Sequence, residues 1–468
     1  MMKALIENPS DTFKKMFTLE CIEEVYEKKV ALNYTRGIDR MGPSQFNSQK
    51  AMLFEIIHRK CLNGTYMFSH FSERLQSRGR DRKPRVISIA TIRDRIVLSL
   101  LKQYLHEVFP ECVNTELPNS YIRKIKNFYK TAAYTDLYFY KVDIKSFYDC
   151  IDHNKLIKAL SEKIISKPEI LLIKRAIKTP TVPVSYKKAA LQDNKNSCGV
   201  PQGLAVSNIL ANIYVHECDG EFENNSLLYL RYVDDLLFVV RQENEEPIRS
   251  TVDNELQALS LNLNEDKTFW GSIDKGVDYL GYYIKLPIVS IKKATVERFL
   301  RSLSALFSAY GNRGTKMYPT EDTNLAHELF ISEVNEKITG AISENRRYGW
   351  LFYFLETDDL KILHTIDLII RDKFCKRLKR NPGSVPISEA IKKLSKAYYH
   401  ARYHLQSGYI HNYDKYDTMP KKLDYLKLWG FIKQDEESTY SEEDIERLFK
   451  RARNKRLSDL ASDVGEIS

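Results

Sequence analysis

The stretch LLYLRYVDDLLFVV, residues 227–240, places two adjacent aspartates, Asp234 and Asp235, between two apolar runs. The flanking segments 227–232 and 236–240 have the apolar and aromatic content of short buried strands, and the residues between them fit a hairpin turn. A hairpin turn often carries its carboxylates in water, without further function. Two charges held between buried strands would instead indicate a site where cations bind. The stretch alone leaves both interpretations open.

Composition limits the classes of protein that fit. The chain has 468 residues, of which 43% are hydrophobic and 29% charged, which predicts a globular protein of two or three domains. A net charge of +10 and 29 tyrosines favour a polyanionic partner, because cations pair with phosphates and aromatic rings stack on unpaired bases. A solvated basic surface gives the same composition, so the charge alone does not decide.

Cysteine usage and hydropathy point to a reducing compartment. The seven cysteines are scattered and none forms a CxxC pair, which argues against a disulfide framework and a structural zinc site. The N-terminal segment lacks the apolar core of a secretory signal, and no run of about 18 apolar residues could span a membrane. We therefore expect a soluble cytoplasmic protein with no membrane partner.

The middle of the chain has the order of an α+β sheet. A strand is predicted from Leu137 to Ile144, followed by a helix starting near Asp152. A Gly/Pro-rich loop then leads into a long apolar helix within 199–222, before the hairpin. We expect helices to cover one face of this sheet.

The remainder of the chain is predicted to be mostly helical. Helical spacing is seen in Ile248, Val252, Leu256 and Leu259, and the character of the sequence changes near residue 290. The chain ends in a basic amphipathic helix for which Ser441 is a plausible N-cap.

The predicted strand ends bring carboxylates together. Asp143 closes the strand that begins at Leu137, so Asp143, Asp234 and Asp235 converge if this strand is a neighbour of the hairpin. Such a cluster repels itself and must bind a proton or a cation. Mg²⁺ prefers carboxylate and carbonyl oxygens, and two such ions can hold the attacking and leaving oxygens of a phosphoryl transfer. The cluster therefore favours nucleotidyl transfer.

The order of motifs resembles that of reverse transcriptases. YVDD is preceded by VDIKSFYDCID and by GVPQGLAVSNILANIYV, while LNLNEDKT and DYLGYYI follow it. NYTRGIDRMGPSQF and RKPRVISIATIRDRIV resemble the fingers of bacterial and group II intron-type enzymes. The resemblance implies a right-hand polymerase, with fingers over 1–135 and part of 155–197, a palm over 136–290, and an α-helical thumb and C-terminal domain over 291–468.

The resemblance also implies the metal site. Asp143 and Asp234 would be the main ligands of two Mg²⁺ ions, with Asp235 secondary and the carbonyl of Ile144 assisting. Lys267 would give a proton to departing pyrophosphate.

Further residues would bind the incoming nucleotide. Tyr148 stands where the family has an aromatic residue that clashes with a ribose 2′-hydroxyl, although a core aromatic beside Phe147 would fit the sequence equally well. Gln202 would pack beside the nucleotide, and Gly203 would let the backbone approach closely. Cationic side chains would hold the triphosphate: Lys83 and Arg85.

The C-terminal third resembles a narrower group. Segments 334–374 and 398–420 are similar to defence-associated bacterial reverse transcriptases, including abortive-infection types. This implies anti-phage defence, with synthesis templated by a non-coding RNA or primed by a protein hydroxyl; homo-oligomers occur in this group. Aromatic and basic residues here could contact RNA, or could instead pack between helices and lie on a solvated helix face: Tyr398, Tyr399, Tyr403, Tyr409, Tyr413, Tyr416, Arg447, Lys450, Arg451, Arg453, Lys455 and Arg456.

Two alternatives remain. The enzyme could be of the retron or group II intron type, or the chain could be a non-catalytic RNA-binding protein on a polymerase scaffold. All three aspartates are present, which argues against the non-catalytic alternative. The expected partners are an RNA template, the DNA product and dNTPs.

Overall fold

The computed structural model describes seven segments: residues 8–32, 35–77, 83–132, 135–186, 198–378, 387–433 and 439–464. The end of the segment that we assign to the fingers, 187–197, lies outside them. The chain divides into two compact units, Met1–Thr115 with Tyr140–Trp270, and Glu116–Phe139 with Gly271–Ser468. The bounds of fingers, palm and thumb stay a prediction.

The described α-helices are as follows: α1 (Pro9–Met16), α2 (Leu19–Val25), α3 (Pro43–Asn47), α4 (Lys50–Leu62), α5 (Ile92–Val108), α6 (Pro118–Thr131), α7 (Phe147–Cys150), α8 (His153–Ser161), α9 (Lys167–Lys178), α10 (Ser207–Asn224), α11 (Glu245–Ala258), α12 (Lys293–Arg313), α13 (Thr323–Thr339), α14 (Trp350–Tyr353), α15 (Leu360–Ile369), α16 (Ile387–Ala390), α17 (Leu394–Tyr403), α18 (Met419–Leu428) and α19 (Glu442–Val464).

The described β-strands are as follows: β1 (Phe71–Gln76), β2 (Arg85–Ile89), β3 (Leu137–Asp143), β4 (Thr181–Val182), β5 (Leu228–Tyr232), β6 (Asp235–Arg241), β7 (Phe269–Ser272), β8 (Val277–Tyr279), β9 (Tyr282–Lys285), β10 (Ile288–Ile291), β11 (Ala341–Ser343), β12 (Arg346–Tyr348) and β13 (His411–Asn412). The mixture of elements confirms the α+β class. None of the helices in the described segments is both long and apolar enough to cross a membrane.

A four-stranded sheet in the order β5-β6-β3-β7 positions the predicted carboxylates. Strands β5 and β6 form the predicted antiparallel hairpin, with Tyr232 paired to Asp235. Strand β6 is buried over almost its whole length, and α10 packs against β5. Because β3 lies beside β6, Asp143 at the end of β3 comes next to the hairpin turn.

Local sequence signals set the helix starts in this unit. The side chain of Asp152 accepts hydrogen bonds from the backbone nitrogens of Asn154 and Lys155, at 2.8 and 2.9 Å, and so caps α8. This confirms the predicted helix start. The predicted helix over residues 248–259 is also confirmed as α11, with Ile248, Val252 and Leu256 buried. Leu259 is its C-cap, one position beyond the last helical residue.

The second unit is mostly helical, as predicted, but it also contains short strands. Strands β8, β9 and β10 form an antiparallel sheet, and β11 pairs with β12 and, in parallel, with the two-residue β13. The side chain of Ser441 accepts from the nitrogen of Asp444 at 3.2 Å, which confirms the predicted N-cap of α19.

Two arginines of α19 are not on a solvated face, and the interpretation that placed them there is wrong. Arg456 pairs with the buried carboxylate of Glu336 at 2.9 Å, and its guanidinium carbon lies 4.0 Å from the ring centre of Trp429. Arg453 pairs with Glu344 at 2.8 Å. These contacts hold both arginine side chains against the rest of the second unit, so each is largely shielded from water.

Two of the tyrosines considered for RNA contact are also buried. The hydroxyl of Tyr413 donates to Glu336 at 2.6 Å, and that of Tyr398 donates to the carbonyl of Thr357 at 2.9 Å. Their rings lie in the interior, so the interpretation as packed tyrosines is confirmed for this pair.

Candidate active site

The hairpin turn has a strained backbone. Because Tyr232 pairs with Asp235, only Val233 and Asp234 form the loop. Val233 has a φ of 59°, in the left-handed region that a β-branched residue rarely adopts. Strain of this kind persists only where the surrounding structure imposes it, and it is concentrated at functional sites.

The three predicted aspartates are brought together at this turn. The backbone nitrogen of Ile144 donates to the carbonyl oxygen of Asp234 at 3.1 Å, which joins the end of β3 to the loop. Asp143 and Asp235 are 4% and 2% exposed, and Asp234 is half-buried. The turn therefore does not simply place its carboxylates in water.

Burial and mutual repulsion disfavour negative charge here. The pKa of Asp234 is raised to about 6, first by burial and then by the charge of Asp143. Burial also raises the pKa of Asp235, although Lys141 opposes that shift. A cation bound between the carboxylates would reverse the effect of the repulsion.

Two lysines and one amide already contact the cluster. Lys267 Nζ lies 2.7 Å from Oδ1 of Asp143, and Asn264 Nδ2 donates to Oδ2 of the same carboxylate at 2.9 Å. Lys141 Nζ lies 3.1 Å from Oδ1 of Asp235. Within the described segments, Asp234 is the member of the cluster without an ion pair.

Asn264 and Lys141 were not among the residues singled out from the sequence. Asn264 stands in the LNLNEDKT motif, and its backbone nitrogen also donates to the carbonyl of Asp143 at 2.8 Å. Lys141 precedes Asp143 by two positions, so both side chains lie on one face of β3. That spacing was the available signal for Lys141.

Tyr148 lies within electrostatic reach of the turn. It is half-buried, and its ring centre is 5.5 Å from that of Phe147. Burial raises the pKa of Tyr148 to about 12, and the charge of Asp234 contributes to the shift while Arg85 opposes it. Tyr148 is thus both a neighbour of a core aromatic residue and close to the carboxylate cluster.

The Gly/Pro-rich loop packs against β2, the strand that carries Arg85. The carbonyl of Gln202 accepts from the nitrogen of Ser88 at 2.7 Å, and its side chain donates to Asp149 at 3.3 Å. Gly203 has a φ of 97°, and a Cβ there would lie 2.7 Å from Ile87 Cγ2. Only glycine fits this contact.

Lys83 takes no part in these contacts between the described residues. Lys83 is exposed just before β2, and no contact joins it to the other predicted residues within the described segments. Its assignment therefore depends on the sequence motif alone.

The family comparison concerns the same part of the chain. Residues 77–284 match the family described as "Reverse transcriptase (RNA-dependent DNA polymerase)". The protein YkfC of Escherichia coli is 25% identical over 327 residues, which cover 58% of this chain and 84% of YkfC.

Intron proteins of yeasts are also similar, over shorter stretches. An uncharacterized 91 kDa protein in the cob intron of Schizosaccharomyces pombe is 32% identical over 148 residues, covering 30% of this chain and 17% of that protein. A putative COX1/OXI3 intron 2 protein of Saccharomyces cerevisiae is 25% identical over 229 residues, covering 35% and 26%. The chain thus spans only a small part of these two relatives.

A solved structure is similar over much of the chain at low identity. The apo telomerase of Candida tropicalis matches 89% of this chain and 76% of its own, with 17% identity and a TM-score of 0.42.

Proposed function

We propose that the chain is an RNA-directed DNA polymerase and makes DNA by two-metal nucleotidyl transfer at Asp143, Asp234 and Asp235. All three aspartates lie within residues 77–284, the part of the chain that matches the reverse transcriptase family. The strongest support is that three carboxylates converge at a strained turn. The backbone nitrogen of Ile144 donates a hydrogen bond to this turn. The substrates would be dNTPs and an RNA template, and the product DNA.

The donor set fits divalent magnesium. Carboxylate and carbonyl oxygens are the ligands that Mg²⁺ prefers. Burial raises the pKa of Asp234 most, and the negative charges of Asp143 and Asp235 raise it further, so a bound cation would relieve their repulsion. Asp143 and Asp234 would hold two ions, with Asp235 and the carbonyl of Ile144 assisting. When bound, the ions would stabilise the charge that develops on the transferred phosphoryl group.

Other side chains would orient the substrate and handle a proton. Tyr148 would exclude the ribose 2′-hydroxyl, and Gln202 and Gly203 would form the wall beside the nucleotide. Lys83 and Arg85 would bind the triphosphate. Lys267, freed from Asp143, would hold its proton near the departing pyrophosphate.

Primer extension tests the reaction. The full chain is incubated with an RNA template, an annealed DNA primer, labelled dNTPs and Mg²⁺. We expect extension by the parent protein and none by Asp234→Asn or in excess chelator. Extension by Asp234→Asn at the parental rate would refute the site, and no extension by the parent with any primer would favour a non-catalytic RNA-binding role.

For the biological role we propose anti-phage defence in the bacterial cytoplasm, with a non-coding RNA template or a protein primer. Its support is the similarity of segments 334–374 and 398–420 to defence-associated enzymes. The retron and group II intron types remain the alternatives. Homo-oligomer formation is a further expectation.

Co-purified nucleic acid separates these roles. The protein is isolated from its native host and the bound nucleic acids are sequenced, with and without protease treatment. One abundant RNA with complementary DNA would indicate a dedicated template. DNA that reaches the aqueous phase only after protease treatment would indicate protein priming. Equal phage sensitivity with parent and Asp234→Asn would contradict the defence role.

A further inference from the structure

The second unit has two adjoining cavities that share residues. The larger, of about 650 Å³, is lined by α6 and by residues near Arg347 and Arg402. The smaller, of about 510 Å³, is lined by α15 and α17. Both include Asp358, Arg402 and Tyr403, so they form one continuous depression, which we call the α6–α17 groove.

Aromatic rings follow one another along the α17 side of this groove. Tyr399 and Tyr403 are 52% and 63% exposed, and their ring centres are 5.3 Å apart. The ring of Tyr399 also lies 5.0 Å from that of His404, which follows α17 and is not part of the groove lining. More than half of each tyrosine is exposed, so both rings offer apolar surface on which a planar ligand could stack.

The groove also carries excess positive charge. Two of its cations are neutralised: Arg123 pairs with Glu356 at 2.7 Å, and Lys126 with Asp358 at 2.6 Å. Four more cations of the groove have no carboxylate within ion-pair distance in the described part of the chain: Lys130, Arg347, Lys396 and Arg402.

The guanidinium of Arg402 is held in place by neutral groups. It donates to the carbonyl of Leu355 at 3.0 Å and to the hydroxyl of Tyr398 at 2.5 Å. These bonds fix its position without cancelling its charge. Arg347 lies 5.8 Å over the ring of Phe352, so its charge is also available.

We propose that the α6–α17 groove binds a single-stranded nucleic acid, with bases stacked on Tyr399 and Tyr403 and phosphates paired with Lys130, Arg347, Lys396 and Arg402. Exposed aromatic rings beside unpaired cations are the combination that single strands need, because every base has a stacking face. A paired duplex would hide its bases from the two tyrosines. This proposal rests on the proposed function, which requires an RNA partner, and it assigns that partner a site in the second unit.

Equilibrium binding tests the aromatic part. An unstructured labelled oligonucleotide of about 20 residues, as RNA and as DNA, is titrated with the full chain in chelator without dNTPs. Tyr399→Ala/Tyr403→Ala should weaken binding roughly tenfold or more. The matched control is Tyr283→Ala, which removes an exposed tyrosine from β9 of the same unit and should leave the affinity unchanged.

The charges are tested by the salt dependence of binding. Lys130→Ala/Arg347→Ala should reduce the slope of log affinity against log salt by about 1–2, since two phosphate contacts are lost. The control Arg313→Ala/Lys316→Ala removes two exposed cations, one at the end of α12 and one in the turn after it, and should keep the parental slope. Loss with RNA alone would identify RNA as the ligand, and loss with both would identify single strands of either sugar.

The proposal is overturned if both groove variants match their controls with RNA and with DNA. The assay contains no metal and no dNTP, so it does not depend on Asp143 or Asp234. Failure of the polymerase assignment would therefore leave this result unchanged. Melting curves equal to those of the parent confirm that the groove variants fold.

Discussion

Lys267 Nζ lies 2.7 Å from Oδ1 of Asp143, so an ammonium group occupies an oxygen that a metal ion would use. The two cations would compete for one carboxylate. Lys267→Ala should therefore lower the Mg²⁺ concentration needed for half-maximal extension. At saturating Mg²⁺ the same variant should be slower by roughly 10²–10⁴-fold, because the proton donor is lost. A Mg²⁺ titration of primer extension measures both effects, and an unchanged rate at saturation would contradict the acid role.

Asn264 is expected to position Asp143 rather than to contact the substrate. Its side chain donates to Oδ2 of Asp143 at 2.9 Å. Asn264→Ala should leave the carboxylate free to turn, reduce kcat roughly tenfold and shift the Mg²⁺ dependence. Asn264→Asp, which removes the donor and adds a negative charge, should shift it further.

The control for this prediction lies in the same segment. Asn262 is exposed, and its backbone oxygen, not its side chain, accepts from Lys145 at 2.9 Å. Asn262→Ala should keep the parental Mg²⁺ dependence. If both alanine variants lose kcat equally with no change in Mg²⁺ dependence, Asn264 has only a structural role.

Asp234 and Asp235 should differ in their effect on activity. Asp234 lacks an ion pair among the described residues, whereas Asp235 is already balanced by Lys141 at 3.1 Å. We expect Asp234→Asn to lose at least roughly 10³-fold in kcat and Asp235→Asn to lose less. Initial rates in Mg²⁺ measure this, and the reverse order would refute the assignment of main and secondary ligands.

The same substitution should not destabilise the fold. The folded-state pKa of Asp234 is raised to about 6, so its charge above that pH is unfavourable in the metal-free protein. In chelator at about pH 8, Asp234→Asn should therefore melt at the same temperature as the parent or higher. A lower melting temperature would mean that the charge stabilises the fold.

Local patterns explain which parts could be predicted from the sequence. The hairpin, the helix start near Asp152 and the cap at Ser441 each depend on residues within a few positions, and all three are confirmed. Predicting that Asp143 lies next to the turn required one assumption, that β3 is a neighbour of the hairpin, and the sheet order shows that it is.

Contacts between distant residues explain most of what was missed. Asn264 bonds to a residue 121 positions away, and Arg456 to one 120 positions away. Neither contact leaves a periodic signal. The two-residue strand β13 pairs with the distant strand β11, and a segment this short has no strand propensity from which it could be predicted.

Tyr148 is predicted to select the sugar. Its half-buried ring lies near the charge of Asp234, where an incoming nucleotide would meet it. Tyr148→Ala should reduce the ratio of kcat/KM for dNTPs over rNTPs at least roughly tenfold. Tyr148→Phe keeps the ring and should keep the ratio. An unchanged ratio in the alanine variant would mean that another residue reads the sugar.

His411 should make the stability of the second unit depend on pH. Its Nε2 has no hydrogen-bond partner in the described structure, and its ring lies 4.5 Å from that of Tyr413. Burial lowers the pKa of His411, helped by Arg456, Lys392 and Lys415 and opposed by Glu336. The folded chain therefore takes up this proton less readily than the unfolded chain, so stability should fall as pH drops below the ordinary histidine value.

Replacing the titrating group should remove this dependence. From about pH 7.5 to 5.5, the parent should lose stability through His411. His411→Phe keeps an aromatic ring but has no proton to bind, so it should lose less stability over the same range. Chemical denaturation at both pH values measures the difference. The exposed His216→Gln should behave as the parent does. Equal losses in the parent and in His411→Phe would show that the folded chain binds this proton as easily as the unfolded one.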